Sequence, residues 1–175
     1  MSKGFIHVYT GESKGKTTAA FGLAMRAAGH GKNVLVLQFL KSRIKTSGEA
    51  IAAKRCGITV IKFKGQTSPL FDPTVRREEL KKTIRKAIDR SIAHIASGKY
   101  DLVILDEINN AVGNGYASAG DIRRIIESKP EGLELVFTGR NAPEELINAA
   151  DYVTEMRMVK HPSNLGVKAR KGIEF

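Results

Sequence analysis

Gly11-Glu12-Ser13-Lys14-Gly15-Lys16-Thr17-Thr18 is the stretch on which the fold turns. Before it lies Phe5-Ile6-His7-Val8-Tyr9, an apolar run of strand character. After it a helix is expected from Thr17 to Ala28, closed by Gly29-His30-Gly31. Strand, glycine turn and helix in that order form a phosphate-binding loop, because the first helical amides and the helix dipole both favour an anion. Lys16 is placed to reach phosphate oxygens, and the Thr17 hydroxyl to reach Mg2+. The standard loop has four residues between its glycines. Here there are three, Glu12, Ser13 and Lys14, with Thr10 where the first glycine would fall.

Outward from the loop, strand and helix signals alternate to the end of the chain. This predicts an α/β fold with a mostly parallel sheet flanked by helices, P-loop NTPase-like and RecA-like, with residues 1–175 forming a single domain. Strands are expected at 34–39, 58–63, 101–107, 133–137 and 152–159. Helices are expected at 49–55, from Thr74 to near Gly98, and at 143–149. In the long helix Leu80, Ile84, Ile88 and Ile92 mark a buried stripe. Ser118 and Asp121 form a capping-box pattern ahead of Ile122, Ile125 and Ile126. Residues 40–48 and 64–73 read as loops. The apolar strand Leu102-Val103-Ile104-Leu105 ends in Asp106-Glu107, a Walker B pattern expected beside the loop strand. Its hard carboxylate oxygens suit Mg2+.

Composition narrows the function classes. With 42% hydrophobic and 27% charged residues the chain is globular rather than disordered. No apolar stretch is long enough to span a bilayer, and the first strand leaves no room for a signal peptide, which predicts a cytoplasmic protein. Cys56 is the only cysteine, so neither a disulfide framework nor a thiolate metal cluster is available. The net charge of +11 is spread from Lys3 to Lys171, and aromatic residues are only 6%. That pattern suits a highly anionic small molecule better than nucleic acid.

Larger blocks carry a resemblance. The segment Thr10 to Gly22, with Gly11, Lys14, Gly15, Lys16, Thr17 and Thr18, is similar to the phosphate loop of the ATP:corrinoid adenosyltransferases of the CobA/BtuR/CobO type. The likeness continues through Arg26 to Val34, Gln38-Phe39, Val103 to Glu107, Thr138-Gly139-Arg140 and Ala150 to Met156. It closes with Val159-Lys160-His161, Gly166 to Ala169 and Gly172-Ile173. A generic P-loop protein has no reason to carry that closing block.

The resemblance implies that Co(I) of a reduced corrinoid attacks C5′ of ATP and releases triphosphate. It implies ATP and Mg2+ (or Mn2+) as cofactors, the corrinoid as co-substrate, a reductant protein or flavin supplying Co(I), and a homodimer. Lys16, Thr17 and Glu107 are the candidate catalytic residues. Thr17 and Glu107 are the favoured metal ligands, with Asp106 as alternate or supporting carboxylate. Residues Gly11 to Thr18 would hold the triphosphate, with Arg26 and Arg140 as further phosphate contacts; a surface ion pair is the alternative for each arginine. Gln38, Phe39 and Lys41 lie at a carboxyl strand end, where open α/β sheets bind ligands; ordinary strand and loop packing is the alternative for all three, above all for Phe39. Lys160 and His161 belong to the closing block, and a structural histidine is the alternative there.

Departures from the family pattern are definite. Glu12 and Ser13 stand where Asn-Gly is frequent, and Glu12 is expected to point away from the triphosphate. With the first strand expected almost at once, the N-terminal helical extension of enteric members is expected to be missing, and there is no tryptophan. In the loop after the third strand Leu70 and Phe71 are the candidates for the apolar contact to the corrinoid. The rival functions are a RecA-like ATPase acting with a nucleic-acid or protein partner, a small-molecule phosphotransferase, and a nucleotide-binding regulator.

Overall fold

A computed structural model describes residues 3–42, 47–67 and 72–174. Six strands form one parallel sheet: β1 (Ile6–Thr10), β2 (Val34–Gln38), β3 (Thr59–Lys62), β4 (Leu102–Asp106), β5 (Glu134–Thr138) and β6 (Tyr152–Glu155), in the order β3-β2-β4-β5-β1-β6. The helices are α1 (Lys16–Gly29), α2 (Gly48–Arg55), α3 (Arg77–Ala96), α4 (Ile108–Gly113), α5 (Ala119–Glu127) and α6 (Glu144–Ala149), followed by a 3-10 turn at Pro162–Leu165.

Alternation along the strands sends side chains into two cores. Val8, Leu35, Leu37, Val103, Leu105, Leu135 and Phe137 face one way, against Leu80, Ile84, Ile88 and Ile95 of α3, Ile122 and Ile125 of α5, and Leu146 of α6. Val34, Val36, Leu102, Ile104 and Val136 face the other way, against Ala20, Phe21 and Ala24 of α1. β2 and β4 are buried on both faces, which is why they read as unbroken apolar runs. Each fully buried Leu or Ile adds about 1.5–3 kcal/mol. α5 begins with the capping box foreseen for Ser118 and Asp121.

Three expectations need correction. The carboxylate strand is not beside the loop strand, because β5 pairs with both β1 and β4 and separates them. The last strand stops at Glu155, since the chain then folds over the loop, with Met156 N bonded to Thr10 O at 2.8 Å. The short α4, six residues long, had no counterpart in the sequence reading. Register nonetheless brings the strand ends together: Gln38 pairs with Asp106, and Tyr9 with Thr138. Thr10, Thr138, Asp106 and Gln38 thus form a polar row along the carboxyl edge of the sheet.

Candidate active site

The loop is pressed against the chain that leaves β6. Gly11 has φ +95°, and a Cβ there would lie 2.6 Å from Met156 O; Gly15 has φ +123°, and a Cβ there would lie 2.9 Å from Met156 Sδ. Ser13 N bonds Met156 O at 3.1 Å. Both glycines are therefore required by backbone angle and by close approach. The Lys16 ammonium turns back onto the loop, donating to Gly11 O and Ser13 O, each at 2.6 Å. Burial pulls its pKa down, against the nearby charge of Glu107.

Below the loop sits Asp106, completely buried. Its Oδ1 accepts from Thr17 Oγ1 at 2.9 Å and Thr138 Oγ1 at 2.8 Å, and its Oδ2 from Gln38 Nε2 at 2.9 Å and Lys41 Nζ at 2.7 Å. Burial acts to raise this carboxyl, but the Lys41 charge and these donors outweigh it and hold it below the usual carboxylate range. Lys41 also donates to Thr17 Oγ1 at 3.3 Å and lies 3.8 Å from Glu107 Oε1. Burial works against its charge, yet Asp106 and Glu107 win and keep it firmly protonated.

Glu107 differs from its neighbour. It adopts a left-handed backbone, φ 68°, at the junction of β4 and α4, and its amide donates to Thr138 Oγ1 at 3.0 Å. Burial, reinforced by the Asp106 charge and opposed by Lys41 and Lys16, pushes its pKa up. Its Oε2 accepts from Asn110 Nδ2, and Asn110 Oδ1 accepts from Arg140 N at 2.6 Å. Leu40, just past β2, is likewise left-handed, φ 55°. Such strain at non-glycine residues collects at functional sites.

A cleft of about 490 Å³ opens over these groups, lined by Ser13 to Thr18, Lys41 and Glu107. It is also lined by Ser47, Gly48, Glu49, Lys62 and the tail Gly172–Glu174, none of which the sequence reading placed there. The tail is fixed by Lys14 Nζ, which donates to Ile173 O at 3.0 Å and Glu174 Oε1 at 3.1 Å. Only the Gly172-Ile173 resemblance could have signalled it. Thr138 and Asn110 were likewise missed as organisers of the carboxylates, although Thr138 lay in a resemblance block.

Other candidates lie elsewhere. Glu12 pairs with Arg140 at 3.3 Å, and the two line a smaller cavity of about 270 Å³ with Lys14 and His161. His161 Nδ1 caps the 3-10 turn, accepting from Ser163 N at 3.1 Å, and Lys160 is exposed. Gln38 lies behind Asp106 and Phe39 is wholly buried against Phe63, ring centroids 4.9 Å apart. The structure does not bring Arg26 to the loop. It is ten residues along α1 from Lys16, about 15 Å at helical rise, and it lines a cavity with Asp101 and Glu134 at the amino ends of the strands. Leu70 and Phe71 lie outside the described residues.

Comparison with known proteins bears directly on this arrangement. Residues 2–175 match the model of the family described as ATP:corrinoid adenosyltransferase BtuR/CobO/CobP. The chain is 38% identical over 174 residues to a corrinoid adenosyltransferase of Sinorhizobium sp., covering 99% of this chain and 81% of that protein. It is 35% identical over 173 residues to the corrinoid adenosyltransferase of Escherichia coli K12, and equally to corrinoid adenosyltransferase CobA of Salmonella typhimurium LT2. Each of those matches covers 99% of this chain and 86% of the relative.

Proposed function

This chain belongs to the ATP:corrinoid adenosyltransferase family, and from that premise we propose how its own residues carry out the reaction. The activity is transfer of the 5′-deoxyadenosyl group of ATP to a reduced corrinoid, a step of cobalamin biosynthesis or salvage. The Co(I) electron pair forms the Co–C5′ bond. The C5′–O bond breaks, and its pair leaves on triphosphate. Co(I) is nucleophile enough to need no base, so the protein has to align the reactants and stabilise a leaving group whose charge stays together.

The observation that carries this reading is the convergence of Lys16, the loop, Thr17 and Glu107 on one cleft, with the buried Asp106 bonded to Thr17 behind them. Lys16 would exchange the carbonyls of Gly11 and Ser13 for phosphate oxygens, and Gly15 to Thr18 would offer helix N-terminal amides. The oxygens fit a hard divalent ion, since they already surround one cation, the Lys41 ammonium, at 2.7–3.8 Å. Thr17 and Glu107 would hold Mg2+, or Mn2+ in its place, with Asp106 behind them. Such an ion would neutralise triphosphate charge. Arg140 and Lys14 flank the loop and are the further phosphate contacts, whereas Arg26 is not.

A reductant protein or flavin supplies Co(I). The exposed Tyr152 and Val153 of edge strand β6 support a homodimer. The dispersed basic charge supports an anionic small ligand over nucleic acid, and residues 1–175 act as one P-loop domain. No helix among the described residues is long and apolar enough to cross a membrane, and a cytoplasmic place is part of the proposal.

Incubation with MgATP and a chemically reduced corrinoid, followed by identification of the phosphate product, tests the reading. Triphosphate with a new Co–C bond is expected. ADP and phosphate formed without corrinoid would sink it. Lys16→Ala is expected to abolish ATP binding or turnover, and unchanged kinetics would remove the loop from the reaction.

A further inference from the structure

Lys41 reaches the centre of the site from an unusual direction. Leu40 takes a left-handed turn as the chain leaves β2, and the bridge between Lys41 and Thr67 fixes the next backbone unit. The four-carbon stem then lies across the strand ends, with only 18% of the side chain exposed. Its ammonium meets Asp106 Oδ2 at 2.7 Å, Thr17 Oγ1 at 3.3 Å and Glu107 Oε1 at 3.8 Å. Two adjacent carboxylates and a hydroxyl are the donor set of a hard cation, and a lysine head is a compact point charge that mimics one.

We propose that the Lys41 ammonium is a resident cation, and that it and a divalent metal ion are alternative occupants of the Thr17–Asp106–Glu107 oxygen cluster. The proposal rests on the reading of the loop as a triphosphate site. Asp106 has both oxygens doubly engaged, and Oδ2 gains a free lone pair only when Lys41 withdraws. An ammonium and a divalent ion on the same oxygens repel each other strongly at this burial. Lys41 also lines the cleft with Lys16 and Thr17, so a polyphosphate there is an acceptor within reach of its flexible stem. The chain consequently takes up metal weakly on its own and well together with a triphosphate. Lys41 is a positioning residue: it keeps the carboxylates charge-balanced between turnovers and passes to the leaving group when the metal arrives.

Mn2+ alone is the probe. Free Mn2+ is followed by electron paramagnetic resonance while nucleotide-free wild type and Lys41→Gln are titrated. The variant is expected to bind Mn2+ at least tenfold more tightly, which a merely structural lesion would not produce, since damage to the cluster weakens its metal. Equal or weaker binding by a folded Lys41→Gln overturns the proposal. A readout on the wild type makes the test independent of the variant's folding. The Lys41 ¹⁵Nζ resonance is expected to stay in place with millimolar MgCl2 and to move once inorganic tripolyphosphate is added with it. A resonance unmoved by both together overturns the proposal. Neither measurement uses the corrinoid, so a failure of adenosyl transfer would appear separately, in the product assay.

Discussion

Asp106→Asn, Lys41→Met and the double variant form a mutant cycle whose outcome can be worked from the geometry. Asp106 is fully buried and accepts four hydrogen bonds, one from a charged donor. Asparagine keeps one oxygen and turns two hydrogens toward donors. Its best orientation puts the oxygen toward Lys41 and the amide toward Thr17 and Thr138, whose hydroxyl protons then lose their acceptor. Breaking a buried ion pair by removing one partner costs about 3–5 kcal/mol. Glu107 still faces Lys41 at 3.8 Å, which puts Asp106→Asn near the lower end, about 3 kcal/mol. Lys41→Met leaves the carboxylate three neutral donors and costs about 2 kcal/mol. With both charges gone neither is stranded, so the double variant should cost about 3 kcal/mol rather than the sum, a coupling of about 2 kcal/mol. Urea denaturation without nucleotide measures this; at a slope of about 2 kcal/mol per molar, Asp106→Asn lowers the midpoint by about 1.5 M. Additivity to within about 0.5 kcal/mol would refute the idea that this pair is a coupled buried unit.

Gly11→Ala places a Cβ 2.6 Å from Met156 O at a positive φ, and should cost about 1–3 kcal/mol while weakening tripolyphosphate binding in calorimetry; wild-type affinity would mean that the loop does not need that approach. Phe39→Ala should lose about 3–5 kcal/mol, with Phe39→Leu losing much less, and nucleotide affinity of the folded protein unchanged in both; a selective loss of affinity would return Phe39 to the site. Ser118→Ala removes the cap of α5 and should cost about 1 kcal/mol at neutral pH. Partial burial acts to raise Asp121, but the Ser118 amide and hydroxyl outweigh it and depress its pKa. The Asp121 contribution is therefore complete above about pH 4 and lost as the pH falls through the lower folded value. The difference between wild type and Ser118→Ala should shrink in acid, and a difference constant down to pH 2 would contradict the assignment.

Where one strong local pattern decided an element, the sequence was enough. The stripe from Leu80 to Ile95, the apolar runs of β2 and β4, and the Ser118–Asp121 box were legible because period, burial and capping agree within a few residues. α4 has only six residues after a left-handed Glu107, too short for a helical period to register. β6 exposes all four of its residues and is held by pairing with β1, which leaves no alternation to see. The insertion of β5 between β1 and β4 depends on long-range pairing, on which local periodicity is silent. Arg26 illustrates the same limit in the site: its resemblance block follows that of the loop closely in sequence, but ten residues of helix separate it from Lys16 and carry it to the opposite edge of the sheet.

The distribution of partners also gives the excess of basic residues a more specific meaning. Around the loop Lys14 is held by Glu174 and a carbonyl, Lys16 by two carbonyls, Lys41 by Asp106, and Arg140 by Glu12. Under the proposed function each internal acceptor occupies a place that a phosphate oxygen would take, and a triphosphate would bind by exchange. These exchanges are unequal. Lys16 gives up neutral carbonyls for charged oxygens and gains. Lys41 gives up a buried carboxylate and loses, unless another cation replaces it there. Arg140 and Glu12, both largely exposed, exchange at little cost, since such surface pairs are worth about 0–1 kcal/mol. Glu12 is thereby accounted for: its charge is spent on Arg140, outside the cleft, rather than on the triphosphate. The inequality between Lys16 and Lys41 would then make metal and triphosphate mutually dependent, which suits a reaction whose leaving group must depart with its charge already matched.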